Sequence, residues 1–248
     1  MRNFNKKYKS ILILNFIFIV ALLGCVIFLC VVLNINHNQR PSNIFNSTIN
    51  SVVELRAETD DVGVSYGTAI FVDKKGTLVS NAHLVCYENG DLKSYHQSIS
   101  IRFHKEDNYH SVNLIDCDIA NDLCILSFVN SGDNHDFKPI NIINSLNIKE
   151  GDIVYTIGNA MNHGLSICQG IVSIPLIEIV MDELSYRVIQ CDLTINNGNS
   201  GGALIDESGN LIGMTTFRIR DNSGYVIYGV AFAIPSNQIE SYINSILN

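Results

Sequence analysis

The sequence predicts an all-β domain of the sandwich or barrel type that begins near residue 51 and is built in two halves. From Ser51 onward, short runs rich in Val, Ile, Tyr and Phe recur, with Gly, Asn, Asp and Lys between them. Runs of strand length with stretches of period-two alternation and turn residues between them are typical of such domains. Examples are SVVELRA, GTAIFVD, GTLVSN, LCILSF, DIVYTIG, YRVIQCD and YVIYGVAFAI. The polar stretch NSGDNHDFKP, residues 130–139, separates a first half at about residues 51–130 from a second half at about residues 138–235.

The segment after the last predicted strand has helical periodicity instead. PSNQIESYINSIL places Ile239, Ile243 and Ile246 on one face of a helix, and Ser236 is a suitable N-cap. The sequence therefore predicts one short helix at about residues 236–247.

An apolar run of membrane-spanning length precedes the β domain. Ile11–Leu33 has Asn15 as its one strongly polar residue, and as a helix it would be about 34 Å long, the thickness of a bilayer core. Residues 1–10 carry four Lys and Arg and no acid, so the positive-inside rule predicts them in the cytoplasm and the β domain outside. We predict an uncleaved, single-pass transmembrane signal anchor at residues 11–33 in the cell membrane, followed by a polar, Asn-rich linker at residues 34–50.

Two alternatives for this run fit its length less well. A cleaved signal peptide has an apolar stretch of only about 7–15 residues. LLGC, at residues 22–25, resembles the lipobox of bacterial lipoproteins, but the apolar run continues past Cys25, where a lipoprotein would turn polar. Cleavage and lipidation therefore stay open, and the uncleaved anchor is favoured.

The charge of the predicted outer part argues against one class of partner. Residues 51–248 carry 11 Lys and Arg against all 24 Asp and Glu of the chain. A nucleic-acid-binding domain needs a basic face. We therefore expect no nucleic-acid partner.

The cysteines predict neither a metal site nor a disulfide framework. Five of them follow the apolar run: Cys86, Cys117, Cys124, Cys168 and Cys191. An odd number leaves at least one unpaired, and none lies in a CxxC or a Cys/His spacing that binds zinc. We expect buried free thiols, with a bridge between Cys168 and Cys191 as the alternative, and no metal or other cofactor.

The stretch NNGNSGGALID surrounds Ser200 with Gly198, Gly201 and Gly202. Such a cluster forms either an ordinary tight turn or an unusual backbone that presents a hydroxyl and several N–H groups to one point.

A serine nucleophile needs a base, usually a histidine oriented by a carboxylate. All seven histidines precede Ser200, the last being His163. This order excludes the α/β-hydrolase elbow, in which the histidine follows the serine, and leaves the His, Asp, Ser order of the chymotrypsin-like fold.

One histidine is better placed than the others to act as this base. His83 follows the apolar strand in GTLVSNAHLV, where a barrel strand would deliver a side chain to a cleft. His37 lies in the predicted linker, and we expect the remaining five to be solvated surface residues: His96, His104, His110, His135 and His163. For the carboxylate, Asp122 opens the apolar run DLCILSF, and Asp116 and Asp118 are alternatives on spacing alone.

Five blocks in register resemble the HtrA/Deg serine proteases over roughly residues 51–247. They are GTAIFVDKKGTLVSNAHLV, DIANDLCILSF, YTIGNAMNHGLSICQGIVS, NNGNSGGALIDESGNLIGMTT and YGVAFAIPSNQI. The resemblance implies a chymotrypsin-like double six-stranded β-barrel with a catalytic triad of His83, Asp122 and Ser200. It also favours Asp122 over the two alternative carboxylates.

The same resemblance implies further roles in the site. The oxyanion hole falls on Gly198, Asn199 and Ser200, and the substrate-binding positions on Ile195 and on Thr215, Thr216, Phe217 and Arg218. Arg218 departs from the smaller or apolar residues expected there, and it would either accept an acidic substrate side chain or point to solvent. A substrate would lie as an added strand along residues 214–218.

The resemblance also bears on assembly and on the whole protein's role. Members of the family often form trimers through the protease domain, and a homotrimer is therefore an option here. They usually carry a PDZ domain after the protease domain, and since the sequence has none, we do not expect PDZ-mediated peptide sensing.

The sequence predicts a membrane-anchored extracytoplasmic serine endopeptidase that hydrolyses peptide bonds in unfolded or partly folded proteins. The alternatives are a dedicated regulatory protease with one substrate and a non-catalytic chaperone or adaptor on the same fold.

Overall fold

The computed structural model describes residues 2–38, 40–60, 62–89, 92–128, 135–181, 184–220 and 226–247, in two units, 1–43 and 44–248. The first unit consists mainly of helix α1 (Arg2–Asn38), whose segment Leu12–Val32 is long and apolar enough to cross a membrane. The predicted linker at residues 34–50 is helical over most of its length. Helix α2 (Pro41–Thr48) follows α1. Its residues Ile44 and Thr48, which belong to the second unit, are buried, and Ile44 is part of that unit's apolar core.

The second unit contains fifteen described strands and two further α-helices. The strands are β1 (Val52–Thr59), β2 (Gly63–Phe71), β3 (Thr77–Ser80), β4 (Cys86–Asn89), β5 (Leu92–Tyr95), β6 (Ser98–Arg102), β7 (His110–Ser111), β8 (Asn113–Asp118), β9 (Leu123–Ser127), β10 (Ile153–Gly158), β11 (Ser166–Met181), β12 (Leu184–Cys191), β13 (Ala203–Ile205), β14 (Leu211–Arg220) and β15 (Val226–Pro235). Helix α3 (Ala82–Val85) lies between β3 and β4, and helix α4 (Ser236–Leu247) follows β15. Three short 3₁₀ turns lie at Ile49–Ser51, Ser145–Asn147 and Ala160–Asn162.

The strands form two curled antiparallel sheets, which confirms the predicted fold class. The second sheet is a closed six-stranded barrel in the order β10-β11-β12-β15-β14-β13. The first has the order β7-β6-β1-β2-β3-β9-β8, and β4 and β5 form a separate two-stranded ribbon. Only Val112 separates β7 from β8, so His110–Asp118 acts as one bent strand that pairs with β6 at its start and with β9 beyond. Counted in this way, the first sheet also has six strands.

Both faces of the central strands in the first sheet are buried, and successive residues along these strands alternate between two apolar clusters. In β2, Ala69 and Phe71 face the core of the first barrel, whereas Ile70 between them faces the second barrel. In β9, Cys124 faces inward, and Ile125 faces the second barrel. A continuous apolar cluster, here called the interbarrel cluster, therefore joins the two barrels; its second-barrel members are Tyr155, Ile157, Leu165, Ala203, Ile205, Leu211, Met214 and Ile234. The residues at the rim of this cluster are positioned by both barrels.

Helix α4 completes the interbarrel cluster, but its first residue does not act as predicted. Ile239 is fully buried, and Ile243 packs on the cluster more loosely, as their helical spacing predicts. Ser236 is the first helical residue, and its hydroxyl donates to the carbonyl of Ile143 at 2.5 Å, so it bonds to another segment instead of capping the helix. The Tyr242 hydroxyl donates to Asp116 Oδ2 at 2.5 Å, and burial together with this bond raises the pKa of Tyr242.

The cysteines differ from expectation at one pair. Cys86 and Cys117, both buried, form a disulfide, and therefore not all five cysteines of this unit are free. The spacing rules fail here because the bridge joins the start of the β4 ribbon to the bent strand across 31 residues of sequence. Cys124 and Cys191 are buried free thiols, and burial raises the pKa of Cys191 to about 12. Cys168 is also free, so the alternative bridge between Cys168 and Cys191 is wrong.

Removing the Cys86–Cys117 bridge should destabilise the second unit. The bridge restricts the unfolded chain across 31 residues, and the chain-entropy relation gives about 3–4 kcal/mol for a loop of this size. The double variant Cys86→Ser/Cys117→Ser avoids mispaired thiols, and its free energy of unfolding should be measured by denaturant titration beside the wild type. Equal unfolding free energies, or thiol titration showing five free cysteines in the wild-type unit, would contradict the bridge.

Candidate active site

His83 and Asp122 meet because their strands are neighbours. Strands β3 and β9 pair antiparallel with Ser80 opposite Cys124, so the residues just after β3 lie beside those just before β9. His83 stands in α3, directly after β3, and Asp122 directly precedes β9. His83 Nδ1 lies 2.9 Å from Asp122 Oδ1 and 3.0 Å from Oδ2, and the backbone N–H of His83 donates to Oδ1 at 3.0 Å.

The Asp122 carboxylate is buried and fully engaged. Its Oδ2 also accepts a hydrogen bond from Thr216 Oγ1 at 2.5 Å. Strand β14 of the second barrel therefore helps to hold the carboxylate of the first barrel in place. Asp122 adopts φ +54°, a left-handed conformation that a non-glycine residue takes at a cost. The tertiary contacts therefore hold the carboxylate in a fixed direction toward the imidazole.

This contact sets the tautomer and the basicity of His83. Because Nδ1 faces a carboxylate, it carries the proton in the neutral ring, and Nε2 keeps its lone pair. Burial lowers the pKa of His83, but the charge of Asp122 and the hydrogen bond to it raise the pKa more, so the net value lies above 6.5. The side chain is 48% exposed, so the ring remains accessible from the cleft.

Ser200 lies in a turn whose glycines cannot be replaced without a clash. Gly198 and Gly201 have φ values of +92° and +78°. A Cβ at Gly198 would lie 2.0 Å from the carbonyl oxygen of Asn159, and one at Gly201 would lie 2.0 Å from that of Thr68. The cluster is therefore more than an ordinary tight turn, since close backbone packing as well as positive φ requires glycine.

His83 and Ser200 line the same open cleft of about 470 Å³, together with Tyr66, Leu84, Met161, Asn162, Gly198 and others. The Ser200 hydroxyl does not donate to His83. It donates to the backbone carbonyl of Thr216 at 2.8 Å. The structure thus brings His83 and Ser200 to one cleft, with Asp122 buried beside His83, and shows the serine hydroxyl turned to Thr216.

Two backbone N–H groups of the turn are available to a ligand. Among the residues that the structure describes, the N–H groups of Gly198 and Ser200 have no acceptor within the chain. The N–H of Asn199 donates to the carbonyl of Asn196 at 3.0 Å. Of the three predicted oxyanion-hole residues, Gly198 and Ser200 therefore have free donors, and the donor of Asn199 is occupied.

Two buried polar residues that the sequence analysis did not select hold the turn in place. Thr68 Oγ1 donates to the Gly198 carbonyl at 2.8 Å, and its backbone N–H donates to the Ser200 carbonyl at 2.9 Å. Asn81 Nδ2 donates to the Asp122 carbonyl at 3.0 Å, and Asn81 Oδ1 accepts from the Gly201 N–H at 2.6 Å. Each is a polar residue beside an apolar run, and since buried polar groups need partners, that position is the signal that could have identified them.

The predicted substrate-binding residues differ in burial and in their hydrogen-bond partners. Ile195 is buried with the core of the second barrel, and Thr215 Oγ1 donates to the Asn199 carbonyl at 2.5 Å. Thr216 is buried with its side chain on Asp122. Phe217 and Arg218 lie in β14, but their side chains lie outside the described residues.

The alternative carboxylates and four of the described histidines have partners other than His83 and Asp122. Asp116 accepts from Tyr242, and Asp118 accepts from Asn121 in an exposed turn. His163 is exposed, as expected. Four histidines expected at the solvated surface are partly buried because each packs on a neighbouring side chain: His96, His104, His110 and His135. The side chain of His37 lies outside the described residues.

Comparison with known proteins places the chain in a family. Residues 67–214 match the family model of the trypsin-like peptidase domain. The chain is 30% identical over 207 residues to the serine endoprotease DegS of Haemophilus influenzae, covering 83% of this chain and 56% of the relative. It is 31% identical over 182 residues to the probable periplasmic serine endoprotease DegP-like of Buchnera aphidicola subsp. Baizongia pistaciae, covering 73% of this chain and 36% of the relative.

A solved structure of similar fold gives the same result. The HtrA-type protease AlgW with tripeptide superposes with a TM-score of 0.70 at 28% identity, covering 84% of this chain and 63% of that one. The chain spans about half the length of the curated DegS relative that it matches. The chain belongs to the trypsin-like peptidase family and is homologous to the HtrA/DegS serine endoproteases.

Proposed function

We propose that this protein is an active serine endopeptidase in which His83 is the general base and Ser200 is the nucleophile. Asp122 orients the His83 ring and stabilises its protonated form. One observation carries the proposal most directly. The Nδ1 atom of His83 is fixed by a buried carboxylate while the ring opens to a cleft that Ser200 also lines. This is the arrangement that activates a serine hydroxyl, because the second ring nitrogen is left to take the proton.

A substrate would complete the site by releasing the serine hydroxyl. The register of β14 against β15 shifts between Thr215 and Arg218, so Thr216 has no ladder partner there. Its carbonyl holds the Ser200 hydroxyl instead. An extended peptide that adds along residues 214–218 would donate a backbone N–H to the Thr216 carbonyl and free the hydroxyl to turn toward His83 Nε2.

The reaction then follows from the positions of these groups. His83 Nε2 takes the hydroxyl proton as Ser200 Oγ bonds to the peptide carbonyl carbon, and the carbonyl oxygen becomes an anion. The free N–H groups of Gly198 and Ser200 bind that anion. His83 gives its proton to the departing amine, which leaves an acyl ester on Ser200. Water then attacks the ester with His83 again as base and releases the new carboxyl end.

Labelling with a fluorophosphonate probe tests this proposal. The probe should form one covalent adduct, and mass spectrometry of the digested protein should locate it on Ser200. His83→Ala should slow labelling strongly because the base is lost, and the exposed control His163→Gln should label at the wild-type rate. If the wild type stays unlabelled although it is folded, the chain is the non-catalytic adaptor alternative and the proposal fails.

The contact with the Thr216 carbonyl predicts a specific requirement in the substrate. Methylating the backbone nitrogen of the residue before the cleaved bond removes the donor that would displace the Ser200 hydroxyl. Leaving the carbonyl unpaired costs about 1–3 kcal/mol, so kcat/KM should fall about ten- to a hundredfold. Steady-state kinetics on a cleaved peptide and its N-methyl analogue would measure this. Methylation two residues beyond the cleaved bond is the matched control, and equal losses from both would contradict the contact.

The raised pKa of His83 predicts the pH dependence of activity. Only the neutral imidazole can act as base, so kcat/KM should rise with pH through a midpoint above 6.5. The protonated ring beside Asp122 contributes folding stability that is fully present below the ordinary pKa and is lost as pH rises through the folded-state pKa. Activity and this stability contribution therefore change in opposite directions, which kinetics and thermal unfolding at matched pH would reveal. A midpoint at or below 6.5 would contradict the Asp122 contact.

We also propose that the peptidase is tethered in the cell membrane with its catalytic unit outside the cytoplasm. The apolar segment Leu12–Val32 and the basic residues before it support this topology. The proposed substrates are unfolded or partly folded proteins, and a homotrimer is the proposed assembly, since both are implied by the resemblance to HtrA/Deg proteases. Light scattering in detergent would test the trimer.

Sequencing of newly formed protein ends in cells that carry the wild type or Ser200→Ala would test the substrate range. Many cleaved proteins would support quality control. A single cleaved protein would favour the dedicated regulatory protease.

A further inference from the structure

Three side chains of types that can bind a metal ion lie together at the first barrel, and none of them lines the catalytic cleft. Glu106 Oε2 lies 3.1 Å from His110 Nε2, and Glu106 Oε1 lies 3.2 Å from His135 Nδ1. One ligand atom from each of the three residues lies within 4.8 Å of the other two. The carboxylate therefore stands between two imidazoles, and all three groups face one small volume.

The cluster is built by two separate parts of the chain. The turn from Phe103 to Glu106, with Lys105 at φ +64°, returns the chain toward the bent strand that carries His110. Residues 135–140 lead into the second barrel, and His135 is the first described residue of that segment. Two groups thus come from one hairpin, and the third comes from the connection between the barrels.

The rings are held in place by aromatic packing. His135 stacks on Phe103 with 4.5 Å between ring centroids and 5° between planes, and His110 meets His135 edge-on at 4.4 Å. The side chains of His135, His110 and Glu106 are 11%, 21% and 37% exposed. A ligand could therefore enter from solvent on the Glu106 side and meet donors whose directions are already fixed.

The distances fit a small divalent ion. Ligand atoms at about 2.0–2.1 Å from a tetrahedral ion lie about 3.4 Å from each other. The two carboxylate–imidazole separations of 3.1 and 3.2 Å, each to a different oxygen of Glu106, are close to that value, and one ligand atom from each residue lies within 4.8 Å of the other two. Two imidazoles with one carboxylate are a donor set that suits Zn²⁺ and neighbouring transition metals, whereas Ca²⁺ and Mg²⁺ prefer oxygen ligands.

We propose that Glu106, His110 and His135 bind one divalent transition-metal ion, with Zn²⁺ as the best fit and water as the fourth ligand. The ion would join the connection between the barrels to the hairpin formed by β6 and β7. That connection already contacts the first barrel, because Phe137 stacks on Phe71 at 4.3 Å and the Ile140 N–H donates to the Phe71 carbonyl at 2.9 Å. Binding should therefore stabilise the fold and is not a step in peptide hydrolysis.

Isothermal titration of the full-length, chelator-treated protein with ZnCl₂ tests the site. The Ser200→Ala/His83→Ala background prevents self-cleavage and removes the catalytic imidazole as a competing ligand. We expect one ion per chain and a higher thermal unfolding midpoint with Zn²⁺. Glu106→Gln, His110→Gln and His135→Gln should each weaken binding at least tenfold. The exposed control His163→Gln should bind as tightly as its parent.

A second measurement needs no substitution within the cluster. Diethylpyrocarbonate modifies accessible imidazoles, and mass spectrometry reports the extent at each histidine. Zn²⁺ should protect His110 and His135 and leave His163 unprotected. Equal modification with and without Zn²⁺, or affinity unchanged in the three cluster variants, would overturn the proposal. Neither readout requires peptidase activity, so the two proposals can fail independently.

Discussion

Replacing Ser200 by Ala should lower kcat by about 10⁶-fold, the loss measured when a serine nucleophile is removed from a comparable triad. The fold should persist, because the lost hydroxyl donates only to the Thr216 carbonyl, and the backbone of residue 200 still accepts from Thr68. Cleavage of a reduced, alkylated protein, together with thermal unfolding, would measure both effects. Ser185→Ala is the matched control, since Ser185 is exposed and its hydroxyl donates to Glu178 Oε1.

The two outcomes separate a chemical role from a structural one. Loss of activity with an unchanged unfolding midpoint assigns the hydroxyl to catalysis. A variant that retains a substantial fraction of wild-type activity would show that another group attacks the peptide bond, and the proposed mechanism would then be wrong.

Replacing Asp122 by Asn should lower kcat by about 10⁴-fold, because an amide in place of the carboxylate favours the wrong imidazole tautomer and removes the charge that stabilises the imidazolium. The Thr216 hydroxyl can still donate to the amide oxygen, so the buried position stays paired. The same change should move the midpoint of the pH profile downward, since the charge of Asp122 is a cause of the raised pKa of His83.

A change of carboxylate elsewhere on the same turn provides the control. Asp118→Asn removes a partly exposed carboxylate that accepts from Asn121, so kcat and the pH midpoint should stay at wild-type values. Equal losses from Asp118→Asn and Asp122→Asn would mean that the turn, and not the Asp122 charge, governs activity.

The fold class could be predicted because its signals are local, and the proposed triad could be selected from the order of its residues along the chain. Runs of strand length such as GTAIFVD, separated by turn residues, indicate strands, and the order of His83, Asp122 and Ser200 excludes the α/β-hydrolase order. The choice of Asp122 over Asp116 needed the resemblance to a family. The structure gives the physical reason, since the tyrosine of the last helix occupies Asp116.

The bonding partners of the supporting residues could not be predicted, because those partners are distant in sequence. The Thr68 hydroxyl bonds to a carbonyl 130 residues away, and the Asn81 side chain bonds to an N–H 120 residues away. Neither residue belongs to a motif with fixed spacing. The Glu106, His110 and His135 cluster was missed for the same reason, since the turn and the connection meet only in the folded chain.

The position of α4 has a consequence for the newly made protein. Ile239 is fully buried among side chains of both barrels, and the helix that carries it is synthesised after the nucleophile. A nascent chain that already includes Ser200 but not α4 lacks part of the packing that unites the two catalytic halves. The packing that unites the two halves is therefore complete only after α4 has been synthesised.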